Sequence, residues 1–236
     1  MWVAGVDGCR GGWVTVLIEL EASRISRAAI YLAHRVVEIL DMEPALHAMA
    51  IDIPIGLLDR PEPRGRLCDR EARRLLGGAR ASSIFNPPLR QQLSAKVYGG
   101  SLTKGMSRQT FGILPKIREV DKVLSFKAPG LIYEAHPELA FALVAGRPMR
   151  FNKKRAPGHR ERVSALRKLP APWGDVLGRV LACGEICYRR SKVGRDDLID
   201  AAILSWTASR IAAGQARSLP PAPPVDGLGR PMAIWC

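Results

Sequence analysis

The run Ala48-Met49-Ala50-Ile51-Asp52-Ile53-Pro54-Ile55-Gly56 is apolar throughout except for one acid. A nearly continuous apolar stretch that short belongs to a strand buried on both faces of a sheet, with other layers packed above and below it. Asp7 repeats the situation. Val3-Ala4-Gly5-Val6-Asp7-Gly8 runs into a turn, Cys9-Arg10-Gly11-Gly12, and a second apolar run follows from Trp13 to Leu20. An ionised group leaving a buried strand has to be paired, hydrated or bound to a metal. Two such acids in one chain are the main clue to its chemistry.

Around these runs the sequence predicts strands over 2–7, 13–20 and 25–32, with a polar break at 21–24. A helix is expected over 36–48, against the resistance of Pro44, and then a buried strand over 48–53. The order is β-β-β-α-β. From Leu57 to about Ala128 arginines and prolines take over, with helical stretches expected at 66–76, 89–96 and 116–124. This segment, 57–128, reads as an insertion or cap within one domain spanning 1–236. A strand at 131–134 follows, then helices over 137–144, 161–169 and 175–189. Asp196 or Asp197 opens a helix to 213, with acids in its first turn as the helix dipole prefers. Residues 231–235 read as a small last strand or a docked tail.

At 236 residues the chain can bury a proper core. No apolar run reaches the roughly 18 residues of a membrane span, and Asp7 interrupts any signal-like stretch, so a cytoplasmic protein without a membrane partner is expected. Five scattered cysteines suit a reducing compartment, and Cys183 and Cys187, one helical turn apart, read as ordinary helix residues. The 36 Lys and Arg against 22 Asp and Glu leave a net charge of +14, unevenly spread. Residues 60–127 hold 15 basic and 5 acidic side chains, and residues 147–168 hold 9 basic side chains with Glu161 the one acid. Such a layout attracts polyanions, nucleic acid foremost, although a basic surface also serves solubility alone. Aromatic residues make up only 6%, too few to suggest a stacking platform for single strands.

Asp7, Asp52, Glu134, Asp197 and Asp200 each sit near the end of an expected strand or the start of a helix. Asp197 and Asp200 are three apart, so both project from one helix face, which Ala201 and Leu204 continue toward the sheet. Capping and dipole complementation would explain these two alone. With two strand-borne acids elsewhere, a shared site is the stronger reading. Phosphodiester hydrolysis uses this residue type, because carboxylates hold Mg²⁺ or Mn²⁺ ions that activate water and stabilise the leaving oxygen.

The runs Gly5-Val6-Asp7-Gly8-Cys9-Arg10-Gly11-Gly12-Trp13, Ile51-Asp52-Ile53-Pro54-Ile55-Gly56-Leu57 and Arg66-Leu67-Cys68-Asp69-Arg70-Glu71-Ala72-Arg73 resemble the domain-of-unknown-function 429 family. So do Gln109-Thr110-Phe111-Gly112-Ile113, Glu134-Ala135-His136-Pro137-Glu138 and Asp196-Asp197-Leu198-Ile199-Asp200-Ala201. These are predicted nucleases with a ribonuclease H-like fold. The resemblance implies an α/β fold, a central mixed sheet flanked by helices, with acids gathered at one edge. Within the wider superfamily the layout looks most like that of Holliday-junction resolvases. Carried over, the metal-holding acids are Asp7, Asp52, Asp197 and Asp200. Glu134 has no counterpart there and is a candidate fifth ligand or substrate-orienting group.

Candidates for holding the substrate are Arg10, Arg66, Arg70, Gln109, His136 and Lys153. Several have a plainer reading as well. His136-Pro137 suits a helix-start turn, Glu138 suits a helix cap, Arg66 and Arg70 suit internal pairing, and Lys153 suits a solvated loop. Ser82, Ser83, Gln109 and Thr110 are expected to face the cleft. The leading expectation is a metal-dependent nuclease acting on structured or duplex DNA or RNA, as a monomer or a homodimer. Its rivals are a phosphotransferase of the actin and sugar-kinase type, for which a second lobe is lacking, and a non-catalytic nucleic-acid-binding module.

Overall fold

The computed structural model describes residues 1–22, 24–125 and 130–236. Strands β1 (Trp2–Cys9), β2 (Gly12–Glu21) and β3 (Arg24–Ala33) form the antiparallel meander that the alternating apolar runs predict. The turn between β1 and β2 is so tight that Gly12 takes a φ of 135°, where a side chain would strain the backbone. Strand β4 (Leu46–Ile51) pairs parallel to β1, and β5 (Ile132–Glu134) pairs parallel to β4. The result is a mixed five-stranded sheet in the order β3-β2-β1-β4-β5, with β1 at its centre.

The period-2 alternation of strand side chains supplies a core on each face of this sheet. Val3, Val14, Val16, Ala48 and Ala50 point to one side. There they meet helices α4 (Pro137–Ala145), α5 (Ala156–Leu166), α6 (Trp173–Cys187) and α7 (Arg195–Ala212). Ala4, Val6, Trp13, Met49 and Ile51 point to the other, where α1 (Val36–Leu40) and α3 (Arg108–Val123) cover them. Helix α2 (Leu67–Arg80) packs at the end of the sheet against a C-terminal two-stranded ribbon, β6 (Ser218–Leu219) and β7 (Ile234–Trp235).

Some expected boundaries shift for identifiable reasons. Helix α1 stops at Leu40 instead of running to 48, because Pro44 has no amide to donate and its ring clashes with a preceding helical turn. Helix α3 begins well before 116, since the Ser107 hydroxyl caps it by accepting from the Thr110 amide at 3.0 Å. The expected helix at 89–96 is only a short 3₁₀ turn, Arg90–Ser94. The segment 57–128 is also more than a cap. Ile117, Val120 and Val123 of α3 complete one face of the main core, and the segment's end at 128 lies outside the described residues. Among the described residues no helix is long and apolar enough to cross a membrane.

Candidate active site

Strand parity places the first acids. Asp7 follows Val3 and Gly5 on alternate positions of β1, and Asp52 follows Ala48 and Ala50 on β4, so both emerge on the α4–α7 side of the sheet. The amide of Asp52 donates to the Val6 carbonyl at 3.1 Å, which holds the chain alongside β1 as it leaves the strand. Helix α7 crosses β1 at Gly5, where an added Cβ would run into the Ser205 amide nitrogen and the Ala201 carbonyl oxygen. This backbone-to-backbone approach brings Asp200, the residue before Ala201, beside Asp7.

Asp7 and Asp52 open into a cleft of about 410 Å³ that His136, Glu138 and Lys153 also line. Asp200 is fully buried beneath Lys153, whose ammonium donates to Oδ2. Its Oδ1 is buried with no partner. Asp7 is 7% exposed, and its Oδ1 accepts from the Gly8 amide at 2.8 Å. Burial, and then the nearby charges of Asp200 and Asp52, push the Asp7 carboxyl well above the ordinary carboxylate range, while Lys153 works the other way. Burial likewise raises Asp200 to about 6, against the pull of Lys153. Burial disfavours the Lys153 ammonium, yet Asp200, Asp7 and Asp52 together hold it charged more firmly than an ordinary lysine.

The pair on α7 divides its work. Asp197 accepts from the Gly194 amide at 2.8 Å and caps the helix, while Asp200 takes the Lys153 ammonium. Neither is part of the cleft lining, although the charges of both act on Asp7.

A family model described as protein of unknown function (DUF429) matches residues 5–225. The chain belongs to the DUF429 family. No curated protein and no solved structure matches it. The matched stretch contains the whole cleft.

Glu134 is not among the acids that this DUF429 protein gathers. It stands in register with Ile51, which faces α1 and α3, so its side chain leaves the sheet on the opposite side from Asp52. There it forms a two-pronged ion pair with Arg66, at 2.6 and 2.8 Å, and accepts from the Ile55 amide at 2.6 Å. Arg66 is 2% exposed and also binds Asp69 at 2.7 and 3.0 Å. Its remaining hydrogen bonds go to the carbonyls of Ile55 and Gly56. Burial works against its charge, but Glu134 and Asp69 hold the guanidinium firmly protonated. Neither Glu134 nor Arg66 is among the residues that line the cleft, and both are taken up in this buried ion-pair network instead.

Glu138 supplies the acid that Glu134 does not. It is buried in the first turn of α4 and lines the cleft, with Oε1 held by Arg162 and Oε2 buried without a partner. Arg162 is 1% exposed and anchored to the carbonyls of Phe151 and Gly158. In the sequence Glu138 reads as a helix cap, and nothing local marks its pairing with Arg162. His136 makes the expected helix-start turn, with Nδ1 accepting from the Glu138 amide at 3.2 Å, and it also lines the cleft.

The other candidates separate. Gln109, Ser82, Ser83 and Lys153 line the cleft, and so does Lys116, which the sequence did not single out. Lys116 donates to the Gly12 carbonyl at 2.5 Å and sits 4.2 Å above the Trp13 ring. Thr110 does not face the cleft; it is buried and bound to Ser107 and the Asn86 carbonyl. Arg10 is exposed in the β1–β2 turn, outside the cleft lining. Arg70 binds the carbonyls of Gly65 and Pro63, and lines instead a neighbouring groove of about 990 Å³ with Arg64, Arg73 and Arg74. Phe85 and Gln109 line both spaces and join them.

Proposed function

We propose that this protein is a metal-dependent phosphodiesterase of nucleic acid with a ribonuclease H-like sheet. One observation carries the reading. Asp7 and Asp52 line one cleft, and Asp200 is packed beneath it beside Asp7 with a buried carboxylate oxygen that has no partner. Unpaired buried carboxylate oxygens are costly, and hard oxygen donors of this kind are what Mg²⁺ and Mn²⁺ take. The strand order β3-β2-β1-β4-β5, antiparallel over the first three strands and parallel over the rest, agrees with the fold that the sequence resemblance implies. The basic groove joined to the cleft at Phe85 and Gln109 suits a phosphate backbone lying across both.

Among the described residues no three of the His, Cys, Asp and Glu side chains are placed to hold one ion together. The donor set still fits, because Mg²⁺ is commonly bound through one or two carboxylates and keeps several waters. Asp7, Asp52 and Asp200 are the residues that would hold it. A bound ion would supply a Lewis acid for the phosphate oxygens and lower the pKa of a coordinated water. Glu138, fixed by Arg162, faces the cleft with one free oxygen and can accept a proton from an attacking water. Lys116 and Lys154 at the rim offer positive charge to the phosphate.

The test pairs Mn²⁺ titration calorimetry with cleavage of branched, duplex and single-stranded substrates. Wild type should bind Mn²⁺ near neutral pH and cleave at least one substrate, and Asp7→Asn and Asp52→Asn should do neither. Absence of Mn²⁺ binding by wild type overturns the metal-dependent reading.

A further inference from the structure

Phe85 stands where two spaces meet. It lines both the carboxylate cleft and the basic groove, and with Gln109 it joins them. The residue is partly exposed, belongs to none of the apolar clusters of the core and pairs with no other ring among the described residues. Core packing gives no reason for an aromatic side chain at this point.

The chain on each side of the ring is fastened. Ile84 is extended and buried in the cluster under α2, which turns the next side chain, Phe85, the other way. The Ile84 carbonyl accepts from Arg73 Nε at 3.0 Å, and the same guanidinium donates to the Asn86 side chain at 2.5 Å. The Asn86 carbonyl accepts from the Thr110 hydroxyl at 3.1 Å, and Pro87 and Pro88 stiffen the chain that follows. The ring is set in place before anything binds, which spares a ligand the cost of ordering it.

What surrounds the ring decides what it can hold. Arg64 and Arg74 line the groove on one side, and Arg80, Lys116 and Lys154 line the cleft on the other. A phosphate chain following this positive charge from groove to cleft has to pass the ring. An aromatic face between two basic walls suits a nucleobase of any sequence, because every base has a π face to stack. Gln109 beside it is exposed, and its amide can both donate to and accept from a base edge. A base inside a continuous duplex keeps its faces against its neighbours and reaches such a ring only by leaving the stack. The cleft, about 410 Å³, is of the size that encloses one small-molecule ligand and not a double helix.

We propose that Phe85 stacks on the base next to the phosphate held in the cleft, so that the protein takes nucleic acid with an unpaired nucleotide at that point and discriminates against continuous duplex. The proposal rests on the phosphodiesterase reading above and names its substrate class. One ring serves one base, so the low aromatic content of the chain is no obstacle.

Fluorescence anisotropy in EDTA tests it with a single strand, a duplex, and the same duplex carrying an unpaired loop. Mn²⁺-dependent cleavage of the same probes is read alongside. Wild type should bind the single strand and the looped duplex at least about threefold more tightly than the plain duplex. Phe85→Leu, which keeps the apolar bulk, should lose about tenfold on those two and less than about twofold on the plain duplex. Phe85→Tyr, which keeps the ring, should bind as wild type does, and Tm should be the same for wild type and both variants. Equal losses on every probe, or none, overturn the proposal and leave the phosphodiesterase reading standing. A Phe85→Leu protein that does not fold assigns the ring to the core and overturns it too. The expected ranking in binding without Mn²⁺-dependent cleavage sinks the phosphodiesterase reading and keeps the stacking role. No binding of any probe by wild type removes both.

Discussion

Gly5 of β1 lies so close against Ser205 of α7 that no side chain fits between them. This contact sets the height at which the helix crosses the strand, and with it the meeting of Asp200 and Asp7. Gly5→Ala should therefore unfold the protein early, because the obstacle is backbone on the helix side and cannot swing aside. Overpacking of this kind costs about 1–3 kcal/mol or more. For a chain of this size the upper end is a fall in Tm of roughly 6–12 °C. A calorimetric scan showing a fall under about 2 °C would mean that α7 can shift freely.

Asp7 and Asp200 are both raised, so the folded state binds protons that the unfolded chain has already released. Stability from that difference is greatest at low pH and is lost as the pH rises from the unfolded carboxylate range through about 6, the Asp200 value. Asp7→Asn removes one of the crowded charges. In EDTA it should unfold about 2–4 °C above wild type at pH 7.5, corresponding to about 1 kcal/mol. The gap should shrink toward pH 4.5. A gap that is constant across this range would show that the Asp7 carboxyl is not raised by its burial and its neighbours.

Glu134 and Glu138 should differ in rate under the same conservative change. Glu134→Gln weakens the buried Arg66 pair and should lower Tm while leaving cleavage per folded molecule within about threefold. Glu138→Gln weakens the buried Arg162 pair and should also lower Tm, but it should reduce cleavage per folded molecule about 100-fold, the usual scale for a general base. Arg66→Met should be harsher than either, about 3–5 kcal/mol, because Glu134 and Asp69 are left buried and unpaired. Thermal unfolding and initial rates on the same preparations separate the cases, and a Glu134→Gln protein that folds but does not cleave would return Glu134 to the site.

Arg74 is exposed in the groove that adjoins the cleft. Arg74→Glu should weaken nucleic-acid binding about 3–10-fold at 0.1 M salt and flatten the slope of log affinity against log salt by about one or more. Its Tm should not move. Fluorescence anisotropy over a salt series reads both quantities, and an unchanged slope would take the groove out of the substrate path.

Much of this site is written in strand parity. Asp7 and Asp52 share a face because each follows small or apolar residues at alternate positions, which the sequence displays openly. Glu134 looks equivalent, but its face depends on pairing with Ile51, a long-range register with no local mark. Lys153 is subtler still. Its neighbours are arginines and lysines, the composition of a solvated loop, and only the tertiary anchoring by Glu161 and Arg162 turns it inward. The helix expected over 36–48 failed at Pro44, where the proline was visible but the turn it makes was not. Asp197 and Asp200 share a helix face by spacing, but that Asp197 caps α7 while Asp200 lies beside Asp7 follows from the closeness of α7 to β1, which the spacing does not display.

The contact between β1 and α7 also has a consequence in time. Asp7 and Asp52 precede Asp200 in the chain, with Lys153 between them. A growing chain carries Asp7 and Asp52 before the helix that completes their charge cluster exists. The site is therefore completed only once α7 has been made, and the chemistry proposed for it stays closed until then.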